Sequence, residues 1–338
     1  MRKNKTVAEL LKNCPAFPEF DEYYANQARS RQDQLTKPPG SLGKLEELAI
    51  WMAGWQRKTK PTMENVNCLV FAGNHGVSSK GVSAYPSTVT AQMVENFKNG
   101  GAAINQLCAL AEITLSVIPI DLEKPTCDFS ESPAMSEEET FAAMQLGHDS
   151  LSNDCDLLIL GEMGIANTTA ATAISCALFK QPVEKWTGTG TGISPEQLFR
   201  KISVINTALE LHGVDFLSPV RILSSFGGRE MAAIAGAVLA ARLKSIPVLL
   251  DGFACTVAAA TLQLFDKQIL EHCLVAHSSA EPGHAGILNH LNKEPILDLN
   301  MRLGEGSGAA IASLILKSAL ATHNKMATFA EAGLSGKN

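Results

Sequence analysis

Two glutamates set among glycines are the residues in this chain best suited to chemistry. Gly161-Glu162-Met163-Gly164 follows the apolar run Leu157–Leu160, and Gly304-Glu305-Gly306-Ser307-Gly308 lies near the C-terminus. Glycine costs backbone entropy and is kept where a chain must turn sharply or touch a ligand. A carboxylate between glycines is therefore read as a site group, able to take up a proton or to sit beside a developing positive charge.

Something must hold these carboxylates in place. Asp156–Leu160 reads as a buried strand, and Asn167-Thr168-Thr169 as the N-cap of an Ala-rich helix reaching Leu178. Glu162 then falls at the C-terminal end of a strand, the edge where open parallel sheets bind ligands. Short apolar runs ending in Gly, Asp or Ser recur at Cys68–Gly73, Leu115–Asp121, Leu157–Gly161, Arg221–Phe226, Val248–Gly252 and Leu274–Ser278, with helical stretches between them. Six such runs predict an α/β fold, a six-stranded parallel sheet with flanking helices in a Rossmann-like large domain. The strand ends carry Asn74-His75-Gly76, Asp121, Glu162, Gly227-Gly228-Arg229-Glu230, Asp251-Gly252 and His277-Ser278-Ser279, which implies one broad cleft. Residues 1–65 read as polar and helical, interrupted by a turn at Thr36–Lys44, and the chain is helical again over Ala309–His323. The expected division is a catalytic domain of residues 66–308 and a small helical domain built from 1–65 and 309–338.

Composition narrows the ligand. A chain of 338 residues, 46% hydrophobic, can bury a sizeable core. A net charge of −6, with Lys and Arg scattered, offers no basic field for nucleic acid, so a small molecule is the expected partner. The eight cysteines form no C-x-x-C pair and read as thiols in a reducing cytoplasm. Arg2, Lys3 and Lys5 are not followed by the apolar stretch of a signal peptide, and every long apolar run is broken by a charge or a glycine, so no membrane span is expected.

Further segments suit phosphate. Gly188-Thr189-Gly190-Thr191-Gly192-Ile193 precedes the helix signal Ser194-Pro195-Glu196 and can turn backbone N–H groups toward an anion, although the same sequence also suits a flexible loop. It lacks the dinucleotide spacing G-x-G-x-x-G. His277-Ser278-Ser279-Ala280-Glu281-Pro282-Gly283-His284 offers hydroxyls at a helix start, with a structural loop as the alternative, and Lys201 can supply positive charge. His75, with His277 and His284, could suggest a metallophosphoesterase, but the Asp-x-His and Gly-Asp-x-x-Asp that such a site needs do not occur, and no metal is expected. The paired acids of diphosphate-using phosphoribosyltransferases and the P-loop are also missing.

Taken together, Thr36–Gly43 (TKPPGSLG), Gly73–Gln92 (GNHGVSSKGVSAYPSTVTAQ), Leu160–Thr169 (LGEMGIANTT), GTGTGI at 188–193, Phe226–Glu230 (FGGRE), Leu250–Phe253 (LDGF), His277–Gly286 and Arg302–Gly308 (RLGEGSG) resemble the nicotinate-nucleotide–dimethylbenzimidazole phosphoribosyltransferases, in order, from about residue 30 to 335. The resemblance implies transfer of phosphoribose from nicotinate mononucleotide to 5,6-dimethylbenzimidazole, giving α-ribazole 5′-phosphate and nicotinate for the cobalamin lower ligand. It also implies a cytoplasmic homodimer needing no cofactor. By the same resemblance Glu305 is the catalytic base and Glu162 a second acid of the site. Ser83–Gln92 forms the benzimidazole wall, with Ser83, Tyr85 and Gln92 as contacts, while Gly164, Lys201, Ser279 and Gly306 bind nucleotide. Leu303, next but one to Glu305 in sequence, is expected to bury it against the substrate. The chemistry fits these residues. Nicotinate leaves as a neutral ring and needs no acid, whereas the attacking azole must lose its N–H proton to one base. A nucleotide-binding regulator using the same cleft without turnover is the alternative, and paired carboxylates beside a phosphate-bearing ligand argue against it.

Overall fold

The computed structural model describes residues 6–13, 16–190 and 192–335; Arg2, Lys3, Lys5, Cys14 and Thr191 lie outside them. Six strands, β1 (Val66–Ala72), β2 (Thr114–Pro119), β3 (Leu157–Met163), β4 (Val248–Leu250), β5 (Cys273–His277) and β6 (Pro295–Leu297), form one sheet in the order β2-β1-β3-β4-β5-β6. Every pairing is parallel. The two central strands are continuous apolar runs because helices cover both faces of the sheet. In β3, Leu158 and Leu160 join one core, while Leu157 and Ile159 join the other.

The first core is built with helices Glu137–Asp149, Asn167–Phe179, Pro219–Phe226, Arg229–Leu243 and Phe253–Ala260. Two of them cross at bare glycines. A Cβ on Gly147 would run into the backbone of Ala233, and one on Gly236 into that of Met144. The second core is covered by helices Lys44–Gln56, Ala103–Leu110 and Ser307–Lys325, the last of which lies across β3 to β6. Helix Glu22–Gln34 packs on Lys44–Gln56, and Leu35 bridges to Thr328.

The strand count is as expected, but one member is not. Residues 221–226 belong to a helix, Pro219–Phe226. Pro219 occupies its first turn, where a missing N–H costs nothing. Its buried residues Pro219, Ile222, Leu223 and Phe226 follow the i, i+3, i+4, i+7 spacing of a helix face. The sixth strand is Pro295–Leu297 at the sheet edge, where proline is tolerated because one side of the strand makes no ladder bonds.

β2 and β3 lie on opposite sides of β1, so the connections diverge there and a crevice opens at the carboxyl ends of the strands. β3 runs two residues past the expected end, and Glu162 is still paired with Phe71 of β1. None of the described helices is long and apolar enough to cross a membrane. The seven described cysteines are all free, and all but Cys127 are buried.

Candidate active site

A cavity of about 440 Å³ sits over the ends of β3, β4 and β5. Glu162 comes from β3, Asp251 and Gly252 from the residues after β4, and His277, Ser279 and Glu281 from the end of β5 and its loop. Tyr85, Val89 and Met93 give it apolar surface, and Arg302, Leu303, Gly304 and Glu305 line it as well.

Glu305 stands on a turn of unusual backbone. Gly304, Glu305 and Gly306 have φ of 84°, 64° and 86°, so a residue with a side chain is held in the left-handed region between two glycines. Such a conformation costs about 1–3 kcal/mol and persists only where surroundings enforce it. Here they do. The Glu305 N–H donates to the Glu162 carbonyl (3.2 Å), the Gly306 N–H to Asp251 Oδ2 (3.1 Å) and the Ala309 N–H to Asp251 Oδ1 (2.9 Å). Asp251 thus supplies, from a neighbouring strand, the anionic cap of helix Ser307–Lys325. Gly161 completes the seat, because a Cβ there would lie 2.6 Å from the Glu305 carbonyl.

The carboxylates are not equivalent. Burial, reinforced by the charges of Asp251, Glu230 and Glu305, pushes Glu162 up to about 8, against the opposing hydrogen bond from Asn167. Glu305 is also raised, chiefly by burial, and its Oε2 is buried without a hydrogen-bond partner. Burial raises Asp251 too, opposed by His277 and by the backbone N–H groups it accepts. At neutral pH Glu162 therefore carries its proton, leaving Glu305 as the cavity acid with a carboxylate oxygen free of any hydrogen-bond partner. Asn167 is not the N-cap expected of its helix. Ala166 holds that position at φ 75°, while the Asn167 Nδ2 donates to Glu162 Oε2. A side chain taken up by the carboxyl group of the preceding strand is not available to cap its own helix.

On one flank, Lys201 is buried beneath the glycine loop. Its Nζ donates to Thr168 Oγ1 (2.9 Å) and to the Gly188 carbonyl (3.1 Å), and burial lowers it to about 8. Gly190 (φ 52°) passes so close that a Cβ would meet Thr168 Oγ1 at 2.8 Å. Arg302 Nη1 donates to the Gly190 carbonyl (2.5 Å). The Ser279 N–H donates to His284 Nδ1 (2.8 Å), and burial lowers His284 to about 3, so its ring is neutral.

Of the residues expected to form the site, Glu162, Glu305, Tyr85, Gly164, Ser279 and Leu303 line this cavity. Lys201 lies one layer behind Thr168 and Gly190. Gly306 lies beneath Glu305, tied to Asp251. Ser83 and Gln92 do not line it: the Ser83 carbonyl accepts from Gln197, and Gln92 is exposed. Asp251, Glu281 and Arg302 also line the cavity without standing out in the sequence as site residues, although each sits inside a glycine-marked segment. Val89 falls within the Ser83–Gln92 segment expected to form the base wall, although it was not among the named contacts, and Met93, one residue beyond that segment, gave no signal, being an ordinary apolar residue of a helix. His75 is occupied by Glu230 (2.7 Å), both fully buried, and among the described residues no group of three potential ligands could hold a metal ion.

A phosphoribosyltransferase family model matches residues 17–334. The chain belongs to this phosphoribosyltransferase family. Among its relatives, the nicotinate-nucleotide–dimethylbenzimidazole phosphoribosyltransferase of Mesorhizobium japonicum is 53% identical, covering 98% of this chain and 99% of the relative. That of Jannaschia is 52% identical with 98% of each covered. The crystal structure of the Thermus thermophilus enzyme of that name superposes with a TM-score of 0.87 at 38% identity, covering 94% of this chain and 100% of that one. The similarity thus runs over nearly the whole described chain, and its fold is that of the Thermus thermophilus structure.

Proposed function

We propose that the chain transfers 5-phosphoribose from nicotinate mononucleotide to 5,6-dimethylbenzimidazole, releasing nicotinate and α-ribazole 5′-phosphate for the cobalamin lower ligand. The observation that carries this reading is the unpartnered, buried Oε2 of Glu305, presented on a strained turn beside an apolar wall. The azole nitrogen attacks C1′ and the electrons of the C1′–nicotinate bond return to the pyridine nitrogen. The proton on the second azole nitrogen passes to Glu305. Attack opposite the leaving group inverts C1′ from β to α.

Several features support the assignment. The substrate carries a pyridinium charge and passes through an oxocarbenium-like centre, which the acidic wall of Glu305 and Asp251 favours. Glu162, protonated, lessens the mutual repulsion of that wall and can donate rather than accept. Tyr85, Val89, Met93 and Leu303 suit an aromatic base, within the base wall assigned to Ser83–Gln92. Gly164, Thr168, Gly190, Lys201 and Ser279 suit the phosphoribose, with Gly306 fixing the turn.

On this reading the protein is a cytoplasmic homodimer that needs no metal or other cofactor and binds no nucleic acid. Residues 66–308 form its catalytic domain, and 1–65 with 309–338 its small helical one. Chromatography of products from nicotinate mononucleotide and a panel of benzimidazole, purine and phenolic bases tests the activity. Formation of an α-ribotide from dimethylbenzimidazole supports it; no transfer to any base rejects it. Light scattering of the purified protein tests the dimer.

A further inference from the structure

Glu281 is a buried carboxylate that the proposed reaction leaves without a task. It is 5% exposed, lines the cavity, and its Oε2 has no hydrogen-bond partner. It immediately precedes helix Pro282–Leu291, yet its side chain does not cap that helix. No ion pair reaches it among the described residues, because Lys201 directs its ammonium to Thr168 and to the Gly188 carbonyl. The Glu281 carboxylate is pressed so close to Gly188 that a Cβ there would collide with it. A buried carboxylate oxygen without a donor is costly, and such a group is retained where the donor arrives with a ligand.

The chemistry of the nucleotide selects that donor. Its phosphate is an anion and cannot satisfy a carboxylate. The azole N–H, brought by the second substrate, belongs to Glu305. Only the ribose 2′- and 3′-hydroxyls remain, and a carboxylate at a strand-end loop can accept from such a vicinal diol, as acidic residues do in dinucleotide-binding folds. We infer that Glu281 is the acceptor for the ribose diol of the bound nucleotide and selects ribonucleotides over deoxyribonucleotides. The inference rests on the phosphoribosyl-transfer reading and adds a specificity-determining residue to it.

The test is calorimetric binding, without the base, of nicotinate mononucleotide and of its 2′-deoxy and 3′-deoxy analogues to wild type, Glu281→Ala and Glu281→Gln. Wild type should bind at least one deoxy analogue about 10–100-fold more weakly, the range expected when a site's buried charged group is left unpaired. In Glu281→Ala the ribonucleotide should weaken to the level of that analogue, so discrimination disappears. Glu281→Gln, which keeps the shape and one acceptor, should fall between and carries the test if the alanine variant does not fold. Equal binding of all three nucleotides by wild type overturns the inference. So does unchanged discrimination in the variants, or a uniform loss for every nucleotide, which would mean that Glu281 acts through Lys201. Transfer to dimethylbenzimidazole is assayed in parallel: Glu281-dependent discrimination without any transfer would uphold the diol contact and reject the reaction.

Discussion

Glu162→Gln should stabilise the protein, and by an amount that depends on pH. The folded-state value of about 8 lies well above the ordinary 4.5. Between those two pH values the unfolded chain has an ionised Glu162 while the folded chain keeps it protonated, so the native state binds more protons. Stability therefore falls as pH rises from 4.5 toward 8 and levels off above. At about 1.4 kcal/mol per pH unit the full span would be worth about 5 kcal/mol. Glu162 is half-buried where it lines the cavity, and its shift is shared with Asp251, Glu230 and Glu305, so about 2–4 kcal/mol is the reasonable expectation. Glutamine mimics the protonated form: its Oε1 still accepts from Asn167 Nδ2, and its amide N–H stands where the carboxyl proton was. For 338 residues the unfolding entropy is about 0.7 kcal/mol/K, so the gain corresponds to a Tm higher by roughly 3–6 °C above pH 8. Near pH 4 the difference should vanish, because both states of the wild type are then protonated. Thermal melts of wild type and variant at pH 4, 6, 8 and 9 measure this. A Tm difference independent of pH, or one that grows as pH falls, would refute the reasoning.

Glu305→Gln should retain both substrates' KM and lose about 10²–10⁴-fold in kcat, since general-base catalysis has that worth. Wild-type kcat/KM should fall as pH drops through the raised Glu305 value, and the variant should lack that acid limb; a variant with the same limb is not missing its base. Lys201→Ala should raise KM for nicotinate mononucleotide far more than for the base, and in wild type that KM should rise as pH passes about 8 and Lys201 loses its charge. A defect confined to the base would sink this assignment. Met93→Ala should weaken base binding more than Gln92→Ala, because Met93 lines the cavity and Gln92 is exposed; the opposite order in measured base KM would mean that the 83–92 segment rearranges around the bound base.

Much of this protein follows from local sequence. Continuous apolar runs such as Leu157–Leu160, separated by helical stretches, read as buried parallel strands, and glycines around Glu162 and Glu305 mark backbone that must turn or approach a ligand. The motif residues likewise pointed to phosphoribosyl transfer before any fold was known. Other features were beyond local pattern. Residues 219–226 are short and apolar enough to pass for a strand, and helix or strand was decided by Pro219 and by the core they enter. Asn167 reads as a cap until the turn after β3 folds its amide back onto Glu162, five residues earlier. Which acid keeps its proton could not be read from spacing at all, because the field on Glu162 comes from residues 230, 251 and 305, distant along the chain. Burial and Coulomb interaction depend on distance in space, and only the packing of β3, β4 and the helix N-termini onto one sheet edge sets those distances. The sequence determined which side chains could do chemistry; the tertiary structure decided their protonation, their partners, and which of them, Glu281 above all, was left waiting for one.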